Sequence, residues 1–180
     1  ILGLDPATGE RRWTCDTNIP WYMVPTTVTA DGVSYWIGGR SGGALAVRLG
    51  GSGDVTATHK VWTAEKNSNV PSPLLHQGHL YFAGNADGIA YCLEAATGKL
   101  VYAERLPRAD TIYASPILAD GKIYYVARNG RTFVVAAAPA FKLLATNDLD
   151  DRSLFHAAPV VADGRLLLRS NRFLTCLDGP

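Results

Sequence analysis

Short apolar runs, separated by polar turns that carry glycine, recur along the whole chain. The stretch PSPLLHQGHLYFAGNADGIAYCLEAATGKLVY aligns with ASPILADGKIYYVARNGRTFVVAAAPAFKLLA, then with AAPVVADGRLLLRSNRFLTCLDG, and more loosely with VPTTVTADGVSYWIGGRSGGALAV. The glycines of the first turn, Gly32, Gly78, Gly121 and Gly164, stand 46, 43 and 43 residues apart, a period of about 43. A fixed period in the range of roughly 20–50 residues marks a repeat architecture in which no single unit buries its own apolar face.

Inside each copy the pattern is that of strands. Asp31-Gly32, Asp120-Gly121 and Asp163-Gly164 predict tight hairpins, because such turns need positive φ and glycine takes it without a steric penalty. In the fourth copy a Pro-led strand, Pro116 to Ala119, meets the Asp-Gly turn and a second, Lys122 to Ala127, follows. Asn129-Gly130 then leads to Thr132 to Ala136, and a further turn to Lys142 to Ala145. Four short antiparallel strands in a unit of this length describe one blade of a β-propeller. The alanine-rich stretch Ala136 to Ala140 contains Pro139 and follows a Phe-Val-Val run, so no helix is expected there. The expected fold is all-β, a single propeller segment of about four blades, with pieces near residues 1–20, 21–66, 67–109, 110–152 and 153–180. Ile1 to Leu4 and Arg11 to Trp13 are the last two strands of one blade, three blades of four strands follow, and three more strands close the chain, seventeen in all. A closed four-bladed ring needs about sixteen strands, so closure would leave one strand over and the expectation is a segment of a larger ring, put at seven or eight blades. Leu49 to Gly53 reads as an insertion in the turn between the third and fourth strands of its blade, where a loop absorbs extra residues at little cost.

Composition adds mainly exclusions. At 180 residues, 47% apolar and 18% charged, the chain has the make-up of an ordinary globular protein. The net charge is +1 and neither sign clusters, which leaves nucleic acid out of the expected partners. No apolar run approaches the roughly 20 residues of a membrane helix, so no membrane span is expected. Cys15, Cys92 and Cys176 lie far apart and are expected to be buried free thiols.

Leu4-Asp5-Pro6-Ala7-Thr8-Gly9-Glu10-Arg11-Arg12-Trp13 resembles the repeat signature of quinoprotein-type propellers, in which a strand ends in Asp, a turn carries Thr-Gly and a Trp follows four residues later. Leu93-Glu94-Ala95-Ala96-Thr97-Gly98-Lys99-Leu100-Val101-Tyr102 repeats it with Glu and Tyr; a third copy keeps only Trp62, and a fourth has Ala145 where the aromatic would stand. The resemblance implies that these aromatics pack between neighbouring blades and are structural. The large area buried by a Trp fits that role. The family includes dehydrogenases that bind pyrroloquinoline quinone with calcium, often beside a disulfide of adjacent cysteines, and this chain has no Cys-Cys pair. It also includes non-enzymatic exported bacterial members, similar to a periplasmic lipoprotein that assists outer-membrane protein assembly, and these are the nearer match. The resemblance therefore implies a non-catalytic binding scaffold without cofactor, periplasmic or extracellular, with a protein or peptide partner. The alternative is a segment of a pyrroloquinoline-quinone-dependent dehydrogenase whose catalytic residues lie outside the chain; the quinone enters only under it. Open blade edges would also favour self-association.

Binding residues are sought in the connections that lead from one blade into the next, because loops on a rigid scaffold carry function. Three residues before each first-strand proline stand Tyr22, Val70, Tyr113 and His156, which in register would ring the mouth of the central channel. Arg108, Asp110 and Arg152 lie in the same connections, and with Tyr22, Tyr113 and His156 they are the channel-mouth candidates. Asp148, Asp150 and Asp151 lack the glycine and terminal glutamate of a calcium loop and read as an exposed acidic turn. The histidines show no H-E-x-x-H spacing, and no G-x-S-x-G elbow is present, so neither metal ligands nor a catalytic residue are expected. Gly38 to Gly43 lacks a following helix and reads as a turn, not a phosphate loop.

Overall fold

The structure is a computed structural model that describes residues 1–17, 19, 21–40, 43–84 and 86–178. In chain order the elements begin with β1 (Leu2–Leu4), β2 (Arg11–Thr14), β3 (Val28–Ala30), β4 (Val33–Ile37) and β5 (Ala44–Arg48). A two-residue β6 (Gly53–Asp54), one helical turn α1 (Thr56–His59) and β7 (Lys60–Ala64) follow. Next come β8 (Leu74–His76), β9 (His79–Ala83), β10 (Ile89–Glu94) and β11 (Leu100–Arg105), then β12 (Ile117–Ala119), β13 (Lys122–Val126), β14 (Thr132–Ala136) and β15 (Leu143–Asn147). The last are β16 (Val160–Ala162), β17 (Arg165–Arg169) and β18 (Leu174–Leu177). They form five separate sheets: β1-β2-β6, β3-β4-β5-β7, β8-β9-β10-β11, β12-β13-β14-β15 and β16-β17-β18, here called blades 1 to 5. Within each blade consecutive strands pair antiparallel, apart from β6. The all-β propeller architecture is thus present as open sheets.

The hairpin turns take the geometry their residues require. Asp31, Gln77, Asp120 and Asp163 have φ of 50, 45, 48 and 51°, and the glycine after each is also at positive φ. Two successive positive φ values give the turn whose twist matches that of paired strands. Gln77-Gly78 adopts it without the aspartate, so glycine carries the requirement.

The central strands are apolar at nearly every position because both faces are covered. Leu80 and Phe82 point into a cluster with Tyr35, Ile37, Ala46 and Trp62 of blade 2. Tyr81 and Ala83, one position along, point the other way into a cluster with Ile123, Tyr125, Phe133 and Val135 of blade 4. Alternate side chains of one strand therefore belong to different inter-blade cores.

The repeat aromatics seat on the connection between the third and fourth strands of the next blade. The Trp62 indole N–H donates to the Ala95 carbonyl at 2.8 Å, and Gly98 lies against its ring at φ 72°. Tyr102 meets Phe141 edge-on, with ring centroids 5.4 Å apart. Trp13 shares a buried cluster with Val55. The Thr-Gly turns beneath are locally tied: Asp5 Oδ1 accepts from the N–H groups of Ala7 and Thr8, and Thr97 donates to the Glu94 carboxylate.

The insertion does more than lengthen a turn. It lies between β5 and β7, as its position predicts, but β6 leaves its own blade and pairs parallel with β2, matching Trp13 to Gly53 and Thr14 to Asp54. The Val55 N–H donates to the Thr14 carbonyl at 2.8 Å, and the Asp16 N–H to Thr56 Oγ1 at 2.7 Å. Among the described residues, this pairing and α1 make eighteen strands and one helical turn where the sequence pattern predicts seventeen strands. No helix forms over Ala136 to Ala140, as Pro139 predicts.

Cys15 and Cys92 are buried and free, as expected, whereas Cys176 is exposed. It lies on the outer face of β18, where no further sheet covers it among the described residues. Burial pushes the Cys92 thiol up to about 12, so it stays protonated.

Candidate functional site

The connections entering blades 2, 4 and 5 are fixed by the same backbone bond. The N–H groups of Gly39, Arg128 and Asn171, each just past the second strand of its blade, donate to the carbonyls of Tyr22, Thr111 and Leu154. A second series crosses between blades near the innermost strands: the Thr26 N–H donates to Ser72 Oγ and the Ser72 N–H to Ser115 Oγ, both at 2.9 Å. These bonds give the structural register of the inter-blade connections. Tyr113, His156 and Val70 each stand four residues before the first strand of their blade, but Tyr22 stands six before β3, and Val24 occupies the matching place. The cause is that Pro25 lies three residues before its strand, whereas Pro73, Pro116 and Pro159 lie one before theirs.

Tyr113 and His156 are brought together across the boundary of blades 4 and 5. Their rings lie 5.6 Å apart at 53°. Between them sits Arg128, which its sequence does not single out: its guanidinium carbon is 4.9 Å from the Tyr113 ring centroid, and its Nε–H donates to His156 Nε2 at 3.0 Å. His156 Nε2 is the acceptor in this arrangement. Arg128 has no carboxylate partner among the described residues, which leaves the outer N–H groups of its fork without an acid. His156 also lines a pocket of about 170 Å³ with Leu154, Ala157, Arg169, Ser170 and Asn171. Arg169 likewise forms no ion pair among the described residues, and no acidic side chain lines this pocket.

The other candidates fall elsewhere. Asp110 and Arg152 line a second cleft of about 470 Å³, with Asn129, Arg131, Asp148 and Asp150 among its walls. There Arg131 grips Asp148 with two bonds, Nε to Oδ1 at 2.7 Å and a terminal nitrogen to Oδ2 at 2.9 Å. That guanidinium holds the Asp148 carboxyl below its ordinary value of 3.8. Arg108, at φ 58°, reaches the same group through its carbonyl, which accepts from Arg131 at 3.4 Å. Tyr22 forms a third cluster: its ring meets Trp21 edge-on at 5.7 Å, and Arg40 lies 5.2 and 5.5 Å from the two ring centroids. Tyr22 itself has φ 69°, a left-handed conformation that bulky residues adopt only when their surroundings impose it. Ser41 and Gly42, in the glycine-rich turn beside Arg40, lie outside the described residues.

Calcium with pyrroloquinoline quinone needs converging oxygen ligands. Among the described residues no three His, Cys, Asp or Glu side chains converge on one point. Asp148 is committed to Arg131, and Asp151 Oδ1 accepts from both the N–H and the hydroxyl of Ser153. Among the described residues, the carboxylates present do not fit a calcium-centred quinone site. No helix among the described residues is long and apolar enough to cross a membrane.

The fold has clear likenesses among solved structures. BamB from Moraxella catarrhalis superimposes with a TM-score of 0.72 at 18% identity, over 94% of this chain and 50% of that one. The computationally designed Ika4 protein gives 0.69 at 11% identity, over 96% of this chain and 100% of that one. The quinohemoprotein alcohol dehydrogenase from Comamonas testosteroni gives 0.60 at 15% identity, over 87% and 30%. At these identities the likeness is one of fold. The chain spans about half the length of the BamB chain it matches. No curated protein sequence matches it. Residues 1–140 match the family model described as outer membrane protein assembly factor BamB, and with a pyrroloquinoline-quinone-like repeat running through the matched blades the chain belongs to that family.

Proposed function

We propose that this chain is a non-catalytic binding scaffold, about four blades of a seven- or eight-bladed ring, which holds a protein or peptide partner at the channel mouth. The observation that carries the reading is the assembly of Tyr113, Arg128 and His156 at the junction of blades 4 and 5. An aromatic face and an oriented guanidinium without an acid are the groups enriched where proteins hold partners. They sit on rigid blades, so little order is lost on binding. Membership of a family described as an assembly factor supports a partner-holding role, and with it a periplasmic or extracellular setting.

The test is a photo-crosslinking amino acid placed at Tyr113, at His156 and, as a control, at the exposed outer-edge residue Leu144. Expected is crosslinking to one discrete protein in the native cell from positions 113 and 156 and none from 144. The same yield from all three positions, or none from the mouth, would overturn the reading.

A further inference from the structure

We infer that the mouth at blades 4 and 5 recognises a carboxylate of its peptide partner, held between Arg128 and Arg169; the inference rests on the reading of the mouth as a binding surface. Arg128 is already posed. Stacking on Tyr113 and donation of its Nε–H to His156 fix the plane of the guanidinium and use one of its five N–H donors. Its two terminal nitrogens are the edge that matches a carboxylate with two parallel bonds. Elsewhere in this molecule a guanidinium already takes a carboxylate with two bonds, by its other edge: Arg131 holds Asp148 through Nε and one terminal nitrogen. Arg128 carries the same chemistry and, among the described residues, has no acid to take.

The pocket beside it continues the argument. It adjoins His156, the acceptor of Arg128, and Arg169 supplies a second cation. Ser170 is buried, and Asn171 adds a further polar side chain to the wall. At about 170 Å³ it has room for one short acidic side chain or one chain terminus, and not for a large ligand. Leu154 and Ala157 give it apolar walls beside these polar groups. Neither arginine is a core residue: Arg128 is half-buried and Arg169 exposed. Both are therefore open to substitution without creating a cavity.

Three fluorescein-labelled decapeptides test this by fluorescence polarisation on the purified protein. One alternates glutamate with serine and has an amidated C-terminus; the second replaces every glutamate by glutamine; the third is the glutamine peptide with a free C-terminal carboxylate. Expected is binding of the first or the third at least about tenfold tighter than the second, the size of effect for a charge-assisted bidentate contact. Which of them binds tells whether the carboxylate comes from a side chain or from a chain end. R128Q and R169Q should each weaken that binding by about tenfold, R128K should fall between because it keeps the charge without the fork, and Arg48→Gln at the far end of β5 should leave it unchanged. Equal binding of all three peptides, no binding of any, or wild-type affinity in both R128Q and R169Q would overturn the inference. The crosslinking result at Tyr113 and His156 is independent of these peptides, so a mouth that captures a protein but ignores carboxylates would leave the scaffold reading standing.

Discussion

Trp62 shows how one residue links two blades. Its ring fills the space above Gly98 while its N–H satisfies the Ala95 carbonyl. Replacing it with Phe should cost about 1–2 kcal/mol, because a buried acceptor loses its donor, and replacing it with Ala about 3–5 kcal/mol through the cavity left. Gly98→Ala should cost about 2–4 kcal/mol, since a Cβ there would stand 2.6 Å from the Trp62 ring on a backbone held at φ 72°. Urea unfolding midpoints check all three, and a Gly98→Ala midpoint equal to the parent's would refute the close seat. That Trp62 packs between blades was legible beforehand through the family resemblance; its seat on Gly98 was not, because the copy that holds Trp62 lacks the Thr-Gly turn. Arg128 was not legible. Its register partners are Gly39 and Asn171, so self-similarity gives no hint that a cation stands there. Tyr22 was placed by counting back from Pro25, but a proline is welcome anywhere ahead of a strand, and it marks register only when its distance from the strand is constant.

At the level of elements, the four-strand blade could be read from the hairpin glycines and the apolar runs. The insertion could not. Glycine-rich sequence signals a loop, and nothing in it states that two residues will pair with a strand of another blade. β6 covers the outer edge of β2, and Val55 adds apolar cover beside Trp13. Shortening residues 49–55 to a two-residue turn should bare that edge, which offers unpaired backbone groups to other molecules. Hydrogen exchange at Thr14 and neighbouring amides should quicken, and sedimentation velocity should show more association than for the intact chain. Unchanged exchange across β2 would mean that β6 contributes no protection.

Across the whole molecule, exposed apolar side chains occur on every blade, and they include the first and last sheets. Leu2 and Leu4 are 61% and 55% exposed on blade 1, and Val160, Phe173 and Leu174 are 52%, 53% and 69% exposed on blade 5. Surfaces of this kind associate in water. The 180-residue chain should therefore sediment with a concentration-dependent mass, and the double variant Val161→Lys, Leu174→Lys should lower that mass without altering the circular dichroism spectrum; no change in mass would place the association elsewhere. The seating of each aromatic on the following blade has a further consequence, for how such a chain diverges. Trp62 answers to Gly98, and Tyr102 answers to Phe141, so each half of the fit is written in a different repeat. Duplicating or exchanging one blade alone would transplant a knob without its socket. The smallest passage of this gene that can be copied and still fit is the stretch from one aromatic to the turn that receives it, out of phase with the visible blade.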